Sequence, residues 1–227
     1  MNKPGIAWLR KLLQILTALS VPVLLSALLI RLLLTPVFVE LEYRLPGFPE
    51  DSYGFSQQER LQYAHQARKY LVTDRGLDSL EELTFAGGDP LFNERELSHL
   101  RDVKIVIKSL YRVAWAGMLA GLTAAYWSYR EKDWRMLIQA VSGGGWLTAG
   151  VVVLIITLSV LNFQSFFFKF HRVFFEGDTW LFYNSDTLIR LFPLRFWRDA
   201  FLLFGGLSLA AGAGLAGLPV FMNRETE

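Results

Sequence analysis

Three histidines and no cysteine occur among the 227 residues of the chain. His99 lies in NERELSHLRDVK, residues 93–104, where a helix would place Glu96 and Asp102 one turn to either side of it. His171 lies in SFFFKFHRVFFEGDTWLF, between Phe170 and Arg172. Histidine exchanges protons near neutral pH, with an unperturbed pKa of about 6.5, so two of them at one place supply an acid and a base. The same residues also admit plainer readings. His99 can be an interfacial histidine paired with Asp102, and His171 an anchor in an interfacial aromatic belt. A composite metal site of both histidines with Asp102 or Asp178 is a third reading. His65 sits on the polar flank of a helical pattern and receives no role.

Other chemistries find little support. Without cysteine there is no disulfide, thiolate nucleophile or Cys-ligated metal. No HExxH or GxSxG motif occurs, and His65 is not at a zinc-ligand spacing from either other histidine. The glycine triplet in SGGGW, residues 142–146, lacks the lysine and preceding strand of a P-loop and reads as a helix-packing signal. A net charge of +2, with no basic tract apart from the apolar segments, speaks against nucleic acid.

The elements that must hold the histidines are mostly apolar. The chain is 52% hydrophobic with 18 Phe, 7 Trp and 8 Tyr, more than one soluble core of this size requires, so the excess faces lipid. Four segments approach the roughly 20 residues that cross about 30 Å of hydrocarbon: about 12–35, 110–129, 136–161 and 200–222. The fold expected is an all-α membrane protein, a single domain over 1–227. Its four transmembrane helices carry an extracytoplasmic cap made from two outer segments, about 36–98 and 162–199. Arg31, near the end of the first span, is placed to snorkel to the interface. The first span lacks the small-residue exit of a cleaved signal and reads as retained.

Lys3, Arg10 and Lys11 before the first span, and Arg130, Lys132 and Arg135 in the turn between the second and third, point to cytoplasmic ends by the positive-inside rule. Lys169, Arg172, Arg190, Arg195 and Arg198 compete with that signal from the second outer segment. Two helix starts are legible in the first. Ser56 with Glu59 forms a capping box before a helix bearing Leu61, Ala64 and Leu71 on one face. Asn93 with Glu96 opens a helix that runs from 94 to about 129, from polar interface into membrane. Both His99 and His171 then come to the outer interface.

The stretches YGFS at 53–56, NERELSHLRDVK at 93–104, FHRVFFEGDTW at 170–180 and LIRLFP at 188–193 resemble motifs of the lipoprotein intramolecular transacylase family, four-helix membrane proteins of bacteria. The resemblance covers nearly the whole chain. It implies an acyltransferase of the bacterial cytoplasmic membrane, with its active site at the outer face. Such an enzyme moves the sn-2 acyl chain of a diacylglyceryl-modified lipoprotein to the α-amine of its N-terminal cysteine. The family's two catalytic histidines match His99 and His171. Asp102 becomes a candidate to orient His99, and Tyr53, Arg172 or a backbone N–H a candidate to hold the oxyanion. An O-to-N shift within one substrate calls for no acyl-enzyme and no cofactor. Its partners are the lipoprotein N-terminus and membrane lipid. The competing reading, from another class, is a non-catalytic protein that binds lipid or a partner through its outer cap and tolerates loss of histidine.

Overall fold

A computed structural model of the chain describes residues 4–220. Lys3 and the last two residues of the fourth expected span, 221–222, lie outside the described residues. The described elements are the helices α1 (Pro4–Leu33), α2 (Pro36–Arg44), α3 (Gln57–Val72), α4 (Asp78–Glu81), α5 (Glu94–Glu131), α6 (Arg135–Leu161), α7 (Phe163–Phe174), α8 (Thr187–Leu191) and α9 (Leu194–Ala216). No strand occurs among the described residues. Helices over Ala7–Leu33, Glu94–Glu131, Arg135–Leu161 and Leu194–Val220 are each long and apolar enough to cross a membrane. The all-α, four-span architecture is therefore as the sequence predicts, with α1 and α9 each starting several residues earlier than expected.

Two compact units organise these helices. The first comprises the described parts of residues 1–30, 110–158 and 203–227. Small residues set its packing. A Cβ on Gly144 would lie 2.6 Å from the Ala18 carbonyl oxygen and 2.5 Å from Val21 Cβ, and one on Gly145 2.6 Å from Gly212 O and Ala216 N. Those distances are shorter than real Cβ contacts, so glycine is what permits α6 to meet α1 and α9 this closely. Ser142 adds a hydroxyl that donates to Ala216 O at 2.8 Å. Arg10 pairs with Asp133 at 2.7 Å.

The second unit comprises residues 31–109 and 159–202 and contains both candidate histidines. Its helices begin where the sequence offers caps. Thr35 accepts a hydrogen bond from Phe38 N, and Pro36, which lacks an N–H, occupies the first turn of α2. Ser56 and Glu59 close the expected capping box on α3. At the start of α5, Glu96 N donates to Asn93 Oδ1 at 3.0 Å and Asn93 N to Glu96 Oε2 at 2.8 Å. The core gathers Val39, Tyr43, Ala64, Ala67, Leu80, Leu91, Leu100 and Leu191.

Buried polar groups lie within that core. Arg190 holds Asp51 through two hydrogen bonds of 3.0 and 2.9 Å, and Arg60 donates to the Arg190 carbonyl oxygen and to Pro49 O. Glu42, also buried, has its carboxyl pushed up to about 7, first by burial and then by the Asp199 carboxylate beside it. A folded value above the unfolded 4.5 means that Glu42's contribution to stability is fully present below pH 4.5 and is lost as pH rises to 7. Glu42→Gln is therefore expected to melt higher than the parent at pH 8 and level with it near pH 4.5. Thermal unfolding in detergent at both pH values checks this, and equal melting temperatures at pH 8 would contradict it.

Candidate active site

A row of side chains four residues apart builds half of the site. On α7, Asn162 caps the helix by accepting from Ser165 N at 2.9 Å, and Phe163, Phe167 and His171 then follow one another down one face. The Phe167 and His171 rings are 4.2 Å apart, and His171 Nδ1 lies 2.8 Å from Phe167 O. A carbonyl oxygen only accepts, so Nδ1 carries the proton and the neutral ring presents its lone pair at Nε2. Burial pushes the His171 pKa below the ordinary imidazole value, with the Phe167 carbonyl opposing the shift. Neutral His171 is thus the resting form near pH 7.

α5 supplies the other half. Glu96, 1% exposed, uses one carboxylate oxygen for its cap and accepts from Leu188 N with the other, at 2.6 Å. This bond fixes the first turn of α5 to the start of α8. One turn further on, His99 faces His171, with ring centroids 5.9 Å apart and planes at 29°. The edges of Phe175 and Phe182 close on His99 at 4.9 and 5.4 Å. Trp180 covers His171 at 5.3 Å, its indole N–H donating to Gly177 O at 3.0 Å. Gly177 has φ +67, in the left-handed region that glycine enters without strain, and this turn brings the Trp180 ring back over α7. The two histidines are 8% and 9% exposed.

Both rings line a cavity of about 150 Å³. Most of its wall is apolar: Leu33, Leu34, Phe38, Val39, Leu100, Val103, Phe167, Leu188, Ile189, Phe192 and Phe196 among others. The polar side chains lining it are His99, His171, Arg68 and the indoles of Trp180 and Trp197.

The remaining sequence candidates lie elsewhere. Asp102 is half-buried and does not line the cavity, and His99 Nδ1 has no hydrogen-bond partner among the described residues. Tyr53 is exposed and lies under the Arg190 guanidinium, 5.5 Å from its carbon. Arg172 and Asp178 are exposed and stand outside the cavity lining. His65 meets Glu40 at 3.6 Å. Among the described residues no three His, Asp or Glu side chains converge as metal ligands would. Sequence reasoning passed over Trp180, Phe182 and Arg68. For Trp180 a signal existed, since Gly177 three residues earlier marks the turn that folds it back.

The family model of the lipoprotein intramolecular transacylase Lit matches residues 13–197, a span that contains the whole of this cavity's lining except Ala200. The chain belongs to the lipoprotein intramolecular transacylase family. It is 28% identical over 213 residues to an uncharacterised protein of Aquifex aeolicus strain VF5, covering 90% of this chain and 91% of that one. Its fold is that of the membrane-integral lipoprotein intramolecular transacylase Lit of Bacillus cereus, with a TM-score of 0.68 at 14% identity over 97% of this chain and 98% of the other. A variant of that protein with one histidine replaced by arginine superposes with a TM-score of 0.65 at 15% identity, over 97% and 94%. Family membership and the four spans make the chain a multi-pass membrane protein of a transferase family that acts on lipoproteins.

Proposed function

We propose that the chain transfers the sn-2 acyl group of a diacylglyceryl-modified lipoprotein to the α-amine of its N-terminal cysteine, with His99 and His171 moving the proton. The observation that carries this reading is the pair of imidazoles 5.9 Å apart on the wall of one apolar cavity. Nucleophile and ester belong to the same substrate. Effective molarities of about 10⁵ to 10⁸ M are reached when such groups are well oriented, so an enzyme-borne nucleophile is unnecessary. The amine nitrogen bonds to the ester carbonyl carbon, and the carbon–oxygen bond to glycerol then breaks. An amide is more stable than an ester, so the step runs without ATP.

His171 is suited to accept the amine proton at Nε2, because its Nδ1–H is committed to the Phe167 carbonyl and its ring is neutral near pH 7. The proton reaches the departing glycerol oxygen through His99, which leaves both rings neutral at the end of the cycle. The aromatic rings around the pair keep out the water that would hydrolyse the ester. Cytoplasmic ends, read from Arg10, Lys11, Arg130 and Lys132, put this chemistry at the outer face of the bacterial cytoplasmic membrane, where acyl chains enter sideways from the leaflet.

Mass spectrometry of a lipoprotein's N-terminal peptide, from cells with and without this chain, tests the reading. An N-acylated, monoacylglyceryl cysteine is expected only with it. A diacylglyceryl cysteine with a free amine in both samples would sink the proposal.

A further inference from the structure

The acyl shift passes through a tetrahedral intermediate whose negative charge sits on the former carbonyl oxygen, and the two histidines, occupied with the proton, leave that charge unmatched. Tyr53 and Arg172 do not line the cavity. Arg68 does, and among the described residues it is the one side chain in the lining with a fixed positive charge, with no carboxylate beside it in that lining.

The local bonding of Arg68 leaves a donor to spare. Its Nη1 donates to Leu34 O at 3.1 Å, which anchors the guanidinium to the turn between α1 and α2. Among the described residues neither its Nε–H nor its Nη2 finds an acceptor, and of the two Nε is buried while Nη2 is the donor open to a ligand. A guanidinium donor left without an acceptor in a largely apolar wall costs free energy, so such a group is ordinarily matched when its proper ligand is present. The charged neighbour that acts on Arg68 most is another cation, Arg31, so the local field favours an incoming anion. Arginine suits this task, being permanently charged and offering several donors in a fixed plane.

We propose that Arg68 holds the oxyanion of the tetrahedral intermediate, a role that rests on the transacylase reading of the same cavity. As the amine nitrogen bonds to the carbonyl carbon, the carbonyl π pair moves onto oxygen, and the guanidinium donates to it. When the carbon–oxygen bond to glycerol breaks, that pair returns to re-form the carbonyl, and Arg68 is left as it began. The charge exists in the intermediate and not in the ester, so the interaction is made mainly in the transition state and acts on kcat more than on KM.

The test compares the parent, Arg68→Gln, Arg68→Lys and Arg68→Ala proteins in detergent with a synthetic diacylglyceryl lipopeptide, following product by mass spectrometry. Arg68→Gln is expected to lower kcat by about 10² to 10³-fold, the loss typical of one oxyanion donor, with KM little changed and the pH profile of the residual rate unmoved. Arg68→Lys, which keeps the charge without the fork, should recover part of the loss, and millimolar methylguanidinium should recover part of it in Arg68→Ala. Arg68→Gln with parental kcat, or with only KM raised, overturns the role. A loss that accompanies a lower melting temperature and is rescued by neither lysine nor methylguanidinium also overturns it, in favour of a packing role. If the parent itself yields no N-acyl product, the transacylase reading fails instead, and the two failures are told apart by that first measurement.

Discussion

Replacing His99 or His171 with alanine is expected to stop acyl migration while leaving the protein folded and inserted. Proton transfer by a positioned side chain contributes about 10² to 10⁴-fold to a rate, and the mechanism proposed above routes one proton through both rings. Removing either ring breaks the route, so the double variant should be little worse than either single one, the non-additivity of groups that act as a unit. The geometry sharpens the choice of substitution. Glutamine at position 171 can still donate an amide N–H toward Phe167 O, 2.8 Å from the native ring nitrogen, and it fills similar space. It cannot carry a proton near neutral pH. His171→Gln should therefore be as inactive as His171→Ala but closer to the parent in melting temperature. His65→Ala serves as the control, because His65 stands outside the cavity lining and its near contact is Glu40. Single-turnover assays with the lipopeptide, beside thermal unfolding of each variant, provide the comparison. Turnover at the parental rate in a folded His171→Gln protein would reduce that histidine to an aromatic-belt anchor.

Which parts of this site were readable in one sequence follows from the range of the interactions that make them. The four spans and the starts of α3 and α5 depend on residues within a few positions of one another, as Ser56 with Glu59 and Asn93 with Glu96 show. Such signals survive in the sequence alone. α7 did not, although its capping Asn162 and its row of phenylalanines are local, because an aromatic-rich stretch at a membrane boundary reads equally as an interfacial belt. Longer-range facts were out of reach. Glu96 was legible as a cap, but its second oxygen bonds to Leu188, 92 residues away. Arg68 carries no signal of its own in the sequence, and only the folded chain sets it in the cavity wall. Conversely Asp102 shares a helical face with His99 at the spacing expected of an orienter, yet a shared face did not produce a hydrogen bond to Nδ1. Spacing fixes which residues are near in angle along a helix and says nothing of what packs above them.

The largest effect on stability is expected far from the histidines in sequence, at Asp51→Asn. Asp51 and Arg190 have side chains 2% and 7% exposed, and their bidentate pair spans 139 residues. Asp51 also accepts from Tyr53 N and Phe55 N, at 3.1 and 2.8 Å. Burial alone would raise its pKa, but Arg190 and these two amides outweigh that and hold its carboxyl below the usual range. Asparagine keeps an oxygen for the backbone amides and nearly the same shape, so what it removes is the charge facing Arg190. The guanidinium, packed on the Phe55 ring at 3.7 Å, has no other carboxylate bonded to it among the described residues. Breaking a buried pair by removing one partner costs about 3 to 5 kcal/mol, because the surviving charge stays buried and unmatched. Removing both charges costs less, so Asp51→Asn with Arg190→Met should be more stable than Asp51→Asn alone. Arg190 lies beside Leu188 and Ile189 of the cavity wall, and its carbonyl oxygen receives two Arg60 donors, so the single variant should also lose transacylase rate on warming before it unfolds. Melting temperatures of the parent, single and double variants decide the matter: an Asp51→Asn protein as stable as the parent would show that the pair, despite its burial, contributes no more than a solvent-exposed bridge, whose worth is about 0 to 1 kcal/mol.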